Sequence, residues 1–287
     1  MVKQHREAGF TLVEVAIVLV ILGLLLSQGL LSLSTMSENA ERSDTEVLLE
    51  EAIDSLEGFA AANGYLPCPA DPAQTTGVED RETDDTLADF NTCKREVGVL
   101  PWSTLGLSGV DRWGHRLTYH VDLLFADDPG TTVPEVGTEC TVDADVTVVP
   151  ERAFFALCTA ASALTVRAGS VYNRAALTLT DGATIAQNIV AVVVSHGKNS
   201  HGSFKTDGNR LFLDGGVDEL ENGDDLVDAT GAEVANPDRI YVQGAFSNVN
   251  RRELAGSTEV DDSFDDQIQW ISANTLKKLM IDVGRLP

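Results

Sequence analysis

The chain has 287 residues, room for one large or two small domains, and carries 45 acidic against 20 basic residues, a formal net charge of −25. That balance argues against nucleic acid as a direct partner, because phosphate recognition needs a basic footprint that is missing. Anionic lipid headgroups would likewise repel the bulk of the chain.

Lys3 and Arg6 lead into Gly9-Phe10-Thr11-Leu12-Val13-Glu14, and every residue from Val15 to Leu26 is apolar except Gly23. A helix from Phe10 to Leu33 would extend about 36 Å, enough to cross a hydrocarbon core of about 30 Å. Glu14 lies within that pattern, where a carboxylate costs roughly 2.5–3.5 kcal/mol on insertion scales, so it needs a partner charge or a task. With both cations before the run and the acidic bulk after it, the positive-inside rule places the amino end in the cytoplasm and the remainder across the membrane. An ordinary secretory signal is cut after its apolar segment, whereas Gly9 precedes it, so this span would survive processing.

The order glycine, aromatic, hydroxyl residue, two aliphatics and glutamate, followed by AIVLVILGLL, resembles the class III signal of type IV prepilins and type II secretion pseudopilins. The resemblance implies that a prepilin peptidase cuts after Gly9 and that Phe10 becomes N-methylated. It also implies that Glu14 serves assembly. In lipid, the new ammonium of one subunit's Phe10 and a neighbour's Glu14 carboxylate would neutralise each other and fix axial register. The competing reading is a plain signal anchor with an incidental glutamate.

The expected plan is a leader at 1–9, a transmembrane part of the helix at 10–34, an amphipathic part at 35–64 and a periplasmic or extracellular globular domain at 65–287. The protein would sit single-pass in the inner membrane and enter a filament after assembly. Partners implied by the resemblance are other pilin-like subunits, the peptidase and an inner-membrane assembly platform.

After the span, Leu48, Ala52, Leu56 and Ala60 recur at i+4 with Leu49, Ile53 and Phe59 alongside, while Glu50, Glu51, Asp54 and Glu57 take the other face. Asn63-Gly64 reads as a helix stop, and Pro67 and Pro69 prevent resumption. Gly23, Ser27 and Gly29 lower helical propensity or permit close helix packing, and the sequence leaves both open.

Cys68, Cys93, Cys140 and Cys158 all lie on the exported side, where disulfides persist. No CxxC occurs, and local pairs Cys68–Cys93 and Cys140–Cys158 would each staple one loop-rich excursion. The acid-rich stretch from Glu79 to Asp89 reads as a solvated excursion. Asp111 to Val121, DRWGHRLTYHV, reads as a turn feeding a strand in which Leu117, Tyr119 and Val121 alternate with Thr118 and His120. It is similar to the DPWGNPYxY segment of major pseudopilins, with Asp111, Trp113, Gly114 and Tyr119 in matching places. Arg112 stands where that family commonly has proline, which points away from the major subunit class.

Further strands are expected at Val146–Val149, Ala176–Leu179 and Ile189–Val194, the last apolar enough for burial on both faces. A short helix is expected at Ala153–Leu164. Gly/Asp/Asn-rich connections follow at His196–Asn209, Asp214–Asp228 and Thr230–Pro237. In the tail, Ile268, Ile271, Leu276, Leu279 and Met280 fit a helical pattern. The fold class is α+β, with a long N-terminal helix packed on an antiparallel sheet and long disulfide-stapled loops. The segments GYLPCPA, LPWSTLGL, VVVSHGKN and DDQIQW also resemble motifs shared by a group of larger prepilin-like proteins.

Three constellations offer chemistry. Asp261, Asp262, Asp265 and Asp266 bunch oxygen donors of the kind calcium takes. Major pseudopilins bind calcium in a carboxy-terminal loop, so the resemblance implies a possible calcium site here. No EF-hand spacing fits, however, and a solvated acidic loop is the rival. A second acidic run holds Asp218, Glu219, Glu221, Asp224 and Asp225. Ser195-His196-Gly197-Lys198 with His201 suggests a hydrolase, yet no G-x-S-x-G elbow is present, and a triad needs spatial rather than sequential adjacency. The four histidines His115, His120, His196 and His201 lack zincin spacing. Trp102, Trp113, Tyr119 and Trp270 could form a sugar- or peptide-binding platform, or pin the edge of the core.

The reading is a non-enzymatic pilin-like subunit, with no required cofactor. A minor position is favoured because the exported part exceeds a typical major pseudopilin. The alternatives are an adhesive minor type IV pilin and a membrane-anchored periplasmic hydrolase using Ser195 and His196.

Overall fold

The computed structural model describes residues 11–83, 91–127, 155, 157, 159, 164–212, 215–225, 238–256 and 258–286, with backbone alone at 23–35 and 250. It divides into two units, residues 1–44 and 45–287.

The first helix, α1, runs Leu12–Asn63 with no proline in its 52 residues. Its start is fixed by Thr11 and Glu14, whose side chains each bond the other's backbone N–H. Its end is fixed by Gly64, which takes φ +92° and donates its N–H to the Ala60 carbonyl at 2.7 Å. In the first unit the described apolar side chains of α1, from Leu12 to Leu22, are exposed. Among the described residues no helix is long and apolar enough to cross a membrane. The side chains of 23–35, the middle of the apolar run, lie outside that description.

The second unit contains thirteen strands among the described residues: β1 Val97–Val99, β2 His115–Arg116, β3 Thr118–Val121, β4 Thr165–Ala168, β5 Val171–Asn173, β6 Thr178–Thr180, β7 Thr184–Ala186, β8 Ile189–Ser195, β9 Phe204–Lys205, β10 Ile240–Gln243, β11 Ser247–Leu254, β12 Thr258–Phe264 and β13 Gln267–Ser272. Three shorter helices accompany them: α2 Trp102–Leu105, α3 Val217–Asp224 and α4 Ala273–Asp282. The central sheet has order β1-β3-β8-β13, all antiparallel. Its strands appear in chain order, so it is a meander interrupted by long insertions. A second sheet, β10-β4-β7, pairs β10 parallel and β7 antiparallel to β4.

Three layers result. Thr45, Leu49, Ala52, Leu56 and Ala60 form the buried stripe of α1, and the apolar members pack with Tyr119, Val121, Ala191, Val193 and Ile271 of the central sheet and Leu276 and Met280 of α4. The other face of the central sheet, through Val192, Val194 and Ile268, meets Val166 and Tyr241 of the second sheet. Each fully buried leucine in the stripe contributes about 1.5–3 kcal/mol of transfer free energy.

Several expectations change. Ile268 and Ile271 belong to strand β13, not a helix, because each faces a different buried layer; only Ala273–Asp282 is helical, N-capped by Ser272 accepting from Thr275 N. The polar members of β3, Thr118 and His120, are buried along with its apolar ones. The connection at 214–228 contains α3. The strand expected at Ala176–Leu179 starts at Thr178, since Leu177 takes a positive φ of 53°. The excursion from Glu79 packs at its start: Arg81 is buried and donates to the carbonyls of Asn91 and Ala126. The strand at 146–149 and nearly all of the helix at 153–164 fall outside the described residues.

Candidate functional site

Two places in the chain gather functional groups. The first is the start of α1. Gly9 and Phe10 lie outside the described residues. Glu14 sits in the first helical turn, exposed, with Oε2 accepting from Thr11 N at 3.4 Å while its own N–H donates to Thr11 Oγ1 at 3.2 Å. The pattern T-x-x-E is a capping box, a signal that was present in the sequence and passed over. Around and after it, Leu12, Val13, Val15 and Ile17 to Leu22 expose between 46% and 87% of their surface. Apart from Glu14, three successive turns are therefore apolar around the helix and uncovered by the described residues of the chain.

The second place lies where α3, the β12–β13 turn and the segment after β8 meet. One oxygen from each of Glu219, Asp265 and Asp266 falls within 4.8 Å of the others, and all three residues are buried. The resemblance-bearing segments VVVSHGKN and DDQIQW converge here, because β8 and β13 are antiparallel partners with Gln267 opposite Ser195. Asp265 Oδ2 accepts the N–H groups of Lys198 and Asn199 at 2.9 and 3.0 Å. Glu219 Oε1 accepts from Asn199 Nδ2 at 2.6 Å and from Asp265 N at 2.9 Å. Asp266 Oδ2 accepts from Asn222 Nδ2 at 2.9 Å and lies 3.7 Å from His196 Nδ1. Burial, and for Glu219 the added charge of Asp266, pushes all three carboxyl groups up, Asp265 to about 6.

The acidic set expected from the sequence is thus split. Asp265 and Asp266 enter the cluster, whereas Asp262 on β12 pairs with Arg252 and Asp261 accepts from Ser263 N at 2.8 Å. Of the second acidic run, Glu219 joins them. Asp218 instead holds Ser170, and Glu221 and Asp224 group with Asp238 at a more exposed spot. The convergence joins residues some forty-six positions apart, which no local spacing reveals.

Ser195 and His196 do not form a catalytic pair. Ser195 Oγ donates to Asp111 Oδ2 at 2.8 Å, His196 Nε2 hydrogen-bonds with Thr118 Oγ1 at 2.9 Å, and both residues are buried. The Asp111 carboxylate also accepts from Trp113 N and His115 N, closing the turn that feeds β3. The aromatic set is dispersed: Trp102 stacks under Arg116, Tyr119 is sealed in the core, and Trp270 packs on the layer between the sheets. Cys68 and Cys93 form a disulfide; Cys140 and Cys158 lie outside the described residues.

Between the two sheets His120 hydrogen-bonds with Tyr241 Oη at 2.9 Å and faces Asp225 at 3.4 Å and Glu96 at 3.9 Å. The alternation read in β3 gave no sign of this network, because its partners Glu96, Asp225 and Tyr241 are distant in sequence.

No curated protein and no solved structure matches the chain. Residues 4–27 match the family model of the prokaryotic N-terminal methylation motif. The chain is prepilin-like in that stretch, which carries the signature of type IV prepilin-like proteins.

Proposed function

We propose that the protein is a minor pilin-like subunit, cut after Gly9 by a prepilin peptidase, methylated on Phe10 and assembled into a type II secretion pseudopilus or type IV pilus-like filament. The observation that carries the reading is the methylation motif at residues 4–27 directly opening a helix whose described apolar side chains from Leu12 to Leu22 are bare. A helix apolar all round is stable only when lipid or other helices cover it. Lipid covers it before assembly, and the helices of other pilin-like subunits cover it in the filament.

The disulfide Cys68–Cys93 supports export of the second unit to the periplasm or beyond, since such bonds persist in oxidising compartments. Glu14 then answers the ammonium of a neighbour's Phe10 within the apolar layer, and an inner-membrane platform drives the stacking. The size of the part after residue 44 favours a capping, initiating or decorating position.

Intact-mass analysis of the membrane protein, with and without the peptidase, tests this. Loss of Met1 to Gly9 plus gain of one methyl group is expected only with the peptidase. An unprocessed chain in its presence overturns the proposal.

A further inference from the structure

A cleft of about 380 Å³ lies between residues 71–80 and Lys94, on the excursion stapled by Cys68–Cys93. Its size falls within the roughly 300–1,000 Å³ of small-molecule sites. Its lining departs from their apolar norm, because Val78 is the one apolar side chain among the described residues that form it.

The walls are held in place before any ligand arrives. Gly77 takes φ +65° and sits against Trp102, where an added Cβ would fall 2.0 Å from the indole ring. The Gly77 carbonyl accepts from Ser103 N at 2.9 Å and Glu79 N donates to Thr104 Oγ1 at 3.0 Å, so α2 carries this side of the cleft. Lys94 N donates to the Asp80 carbonyl at 3.1 Å, and Asp80 N to the Pro69 carbonyl at 3.1 Å, which ties the two sides together. A preformed cleft lowers the ordering cost of binding.

The charges in the walls cancel. Arg95 lies 3.6 Å from Asp71 and 3.3 Å from Asp80, Arg81 lies 3.2 Å from Glu79, and Lys94 lies 3.6 Å from Asp80. Three lining carboxylates thus meet three cations, in a chain whose net charge is −25. So balanced a cleft draws neither a small anion nor a small cation strongly, and an apolar ligand would strip water from its carboxylates. What it offers is donors and acceptors side by side. Lys94 has a side chain 45% exposed and stands 3.6 and 4.0 Å from the carboxylates of Asp80 and Glu82, beyond hydrogen-bond length. Gln74 and Thr76 are exposed beside it.

We propose that this cleft binds a neutral saccharide unit through its hydroxyl groups. A hydroxyl both donates and accepts. It suits a wall where Asp71 and Asp80 accept while Lys94 and Gln74 donate, and the charged members strengthen such bonds. Val78, 53% exposed, meets the C–H face of the ring. Free sugars and the units of a polysaccharide share this chemistry. The binding is separate from leader processing and filament entry, so its failure leaves the prepilin reading untouched.

The test places the full-length chain, in a detergent without a sugar headgroup, on a glycan array and detects it by an affinity tag. Retention of glycans sharing one uncharged sugar is expected. Calorimetry then titrates the methyl glycoside of that sugar and its polymer separately. Equal affinity per sugar unit assigns the site to free sugar, and polymer binding at least about tenfold tighter assigns it to the polysaccharide. Gln74→Ala and Lys94→Ala should each weaken binding about tenfold at an unchanged melting temperature, whereas Gln187→Ala, exposed on another surface, should change neither. No retention by wild type, retention of acidic glycans alone, or equal affinity in wild type and the Gln74→Ala/Lys94→Ala double variant overturns the proposal. If the double variant fails to fold, Gln74→Ala decides alone, and wild-type affinity in it overturns the proposal.

Discussion

Thr11 and Glu14 hold each other across the first turn of α1, Thr11 Oγ1 accepting from Glu14 N at 3.2 Å and Glu14 Oε2 accepting from Thr11 N at 3.4 Å. Glu14 therefore has a local role, closing the helix start, besides the charge role proposed in assembly. Glutamine fills the third position of a capping box as glutamate does, whereas alanine does not. Glu14→Gln keeps the cap and removes only the charge; Glu14→Ala removes both. If charge neutralisation holds neighbouring subunits in step, both variants should fail to enter filaments, read as loss of the protein from sheared or crosslinked filament fractions. Normal incorporation of Glu14→Gln beside failure of Glu14→Ala would assign the residue to capping alone.

Tyr119 is fully buried between α1 and the central sheet, and its hydroxyl donates to the buried Pro67 carbonyl at 3.1 Å. That bond ties the segment leaving α1 to β3. Tyr119→Phe keeps the ring but leaves the carbonyl without its donor, at a cost of about 1–3 kcal/mol. Urea unfolding of the full-length protein in detergent should show a lower midpoint with an unchanged slope. An unchanged midpoint would mean that water or another donor replaces the hydroxyl.

What was legible in the sequence was local. The i+4 spacing of Leu48, Ala52, Leu56 and Ala60, with Leu49 beside them, located the packed side of α1, and Asn63-Gly64 located its end. The continuous apolar run of β8 announced burial on both faces. The same logic misled at Ile268 and Ile271: their three-residue spacing matches a helix, but a strand buried on both sides can carry apolar residues at any interval. Nothing local could bring Glu219 to Asp265, because the closure depends on the pairing of β13 with β8 and of α3 with the turn before it. α3 was read as loop because VDELENGD has few apolar residues to set a period.

The Cys68–Cys93 disulfide closes a segment of sequence separation 25, and within it Arg81 anchors to the Ala126 carbonyl. Cross-linking a loop of that length restricts the unfolded chain by about 3.5 kcal/mol. The Cys68→Ser/Cys93→Ser double variant should therefore unfold at lower urea concentration, with a stability loss of about 2–4 kcal/mol. Equal midpoints for variant and wild type would show that the bridge contributes nothing beyond the packing around Arg81.

The network of His120 gives stability a specific dependence on pH. Glu96 is held down to about 2 by its hydrogen bond with His120, against the opposing effect of burial and with help from Arg239 at 2.9 Å. Burial alone would lower His120, but the carboxylates of Asp225 and Glu96 outweigh it and raise the group above its ordinary 6.5. The signs follow from linkage. Stability from Glu96 is fully present above its ordinary 4.5 and is lost as pH falls toward about 2. Stability from His120 is fully present below 6.5 and is lost as pH rises through its elevated folded value. Both contributions coexist between pH 4.5 and 6.5, so the network favours the folded state most in that window. Glu96→Gln should flatten the loss of melting temperature on the acid side of 4.5 and move the alkaline loss to lower pH, because His120 then keeps Asp225 as its one facing carboxylate. Melting curves across pH 2–9 (roughly the span both groups titrate over) check this, and superimposable wild-type and Glu96→Gln profiles would refute the coupling.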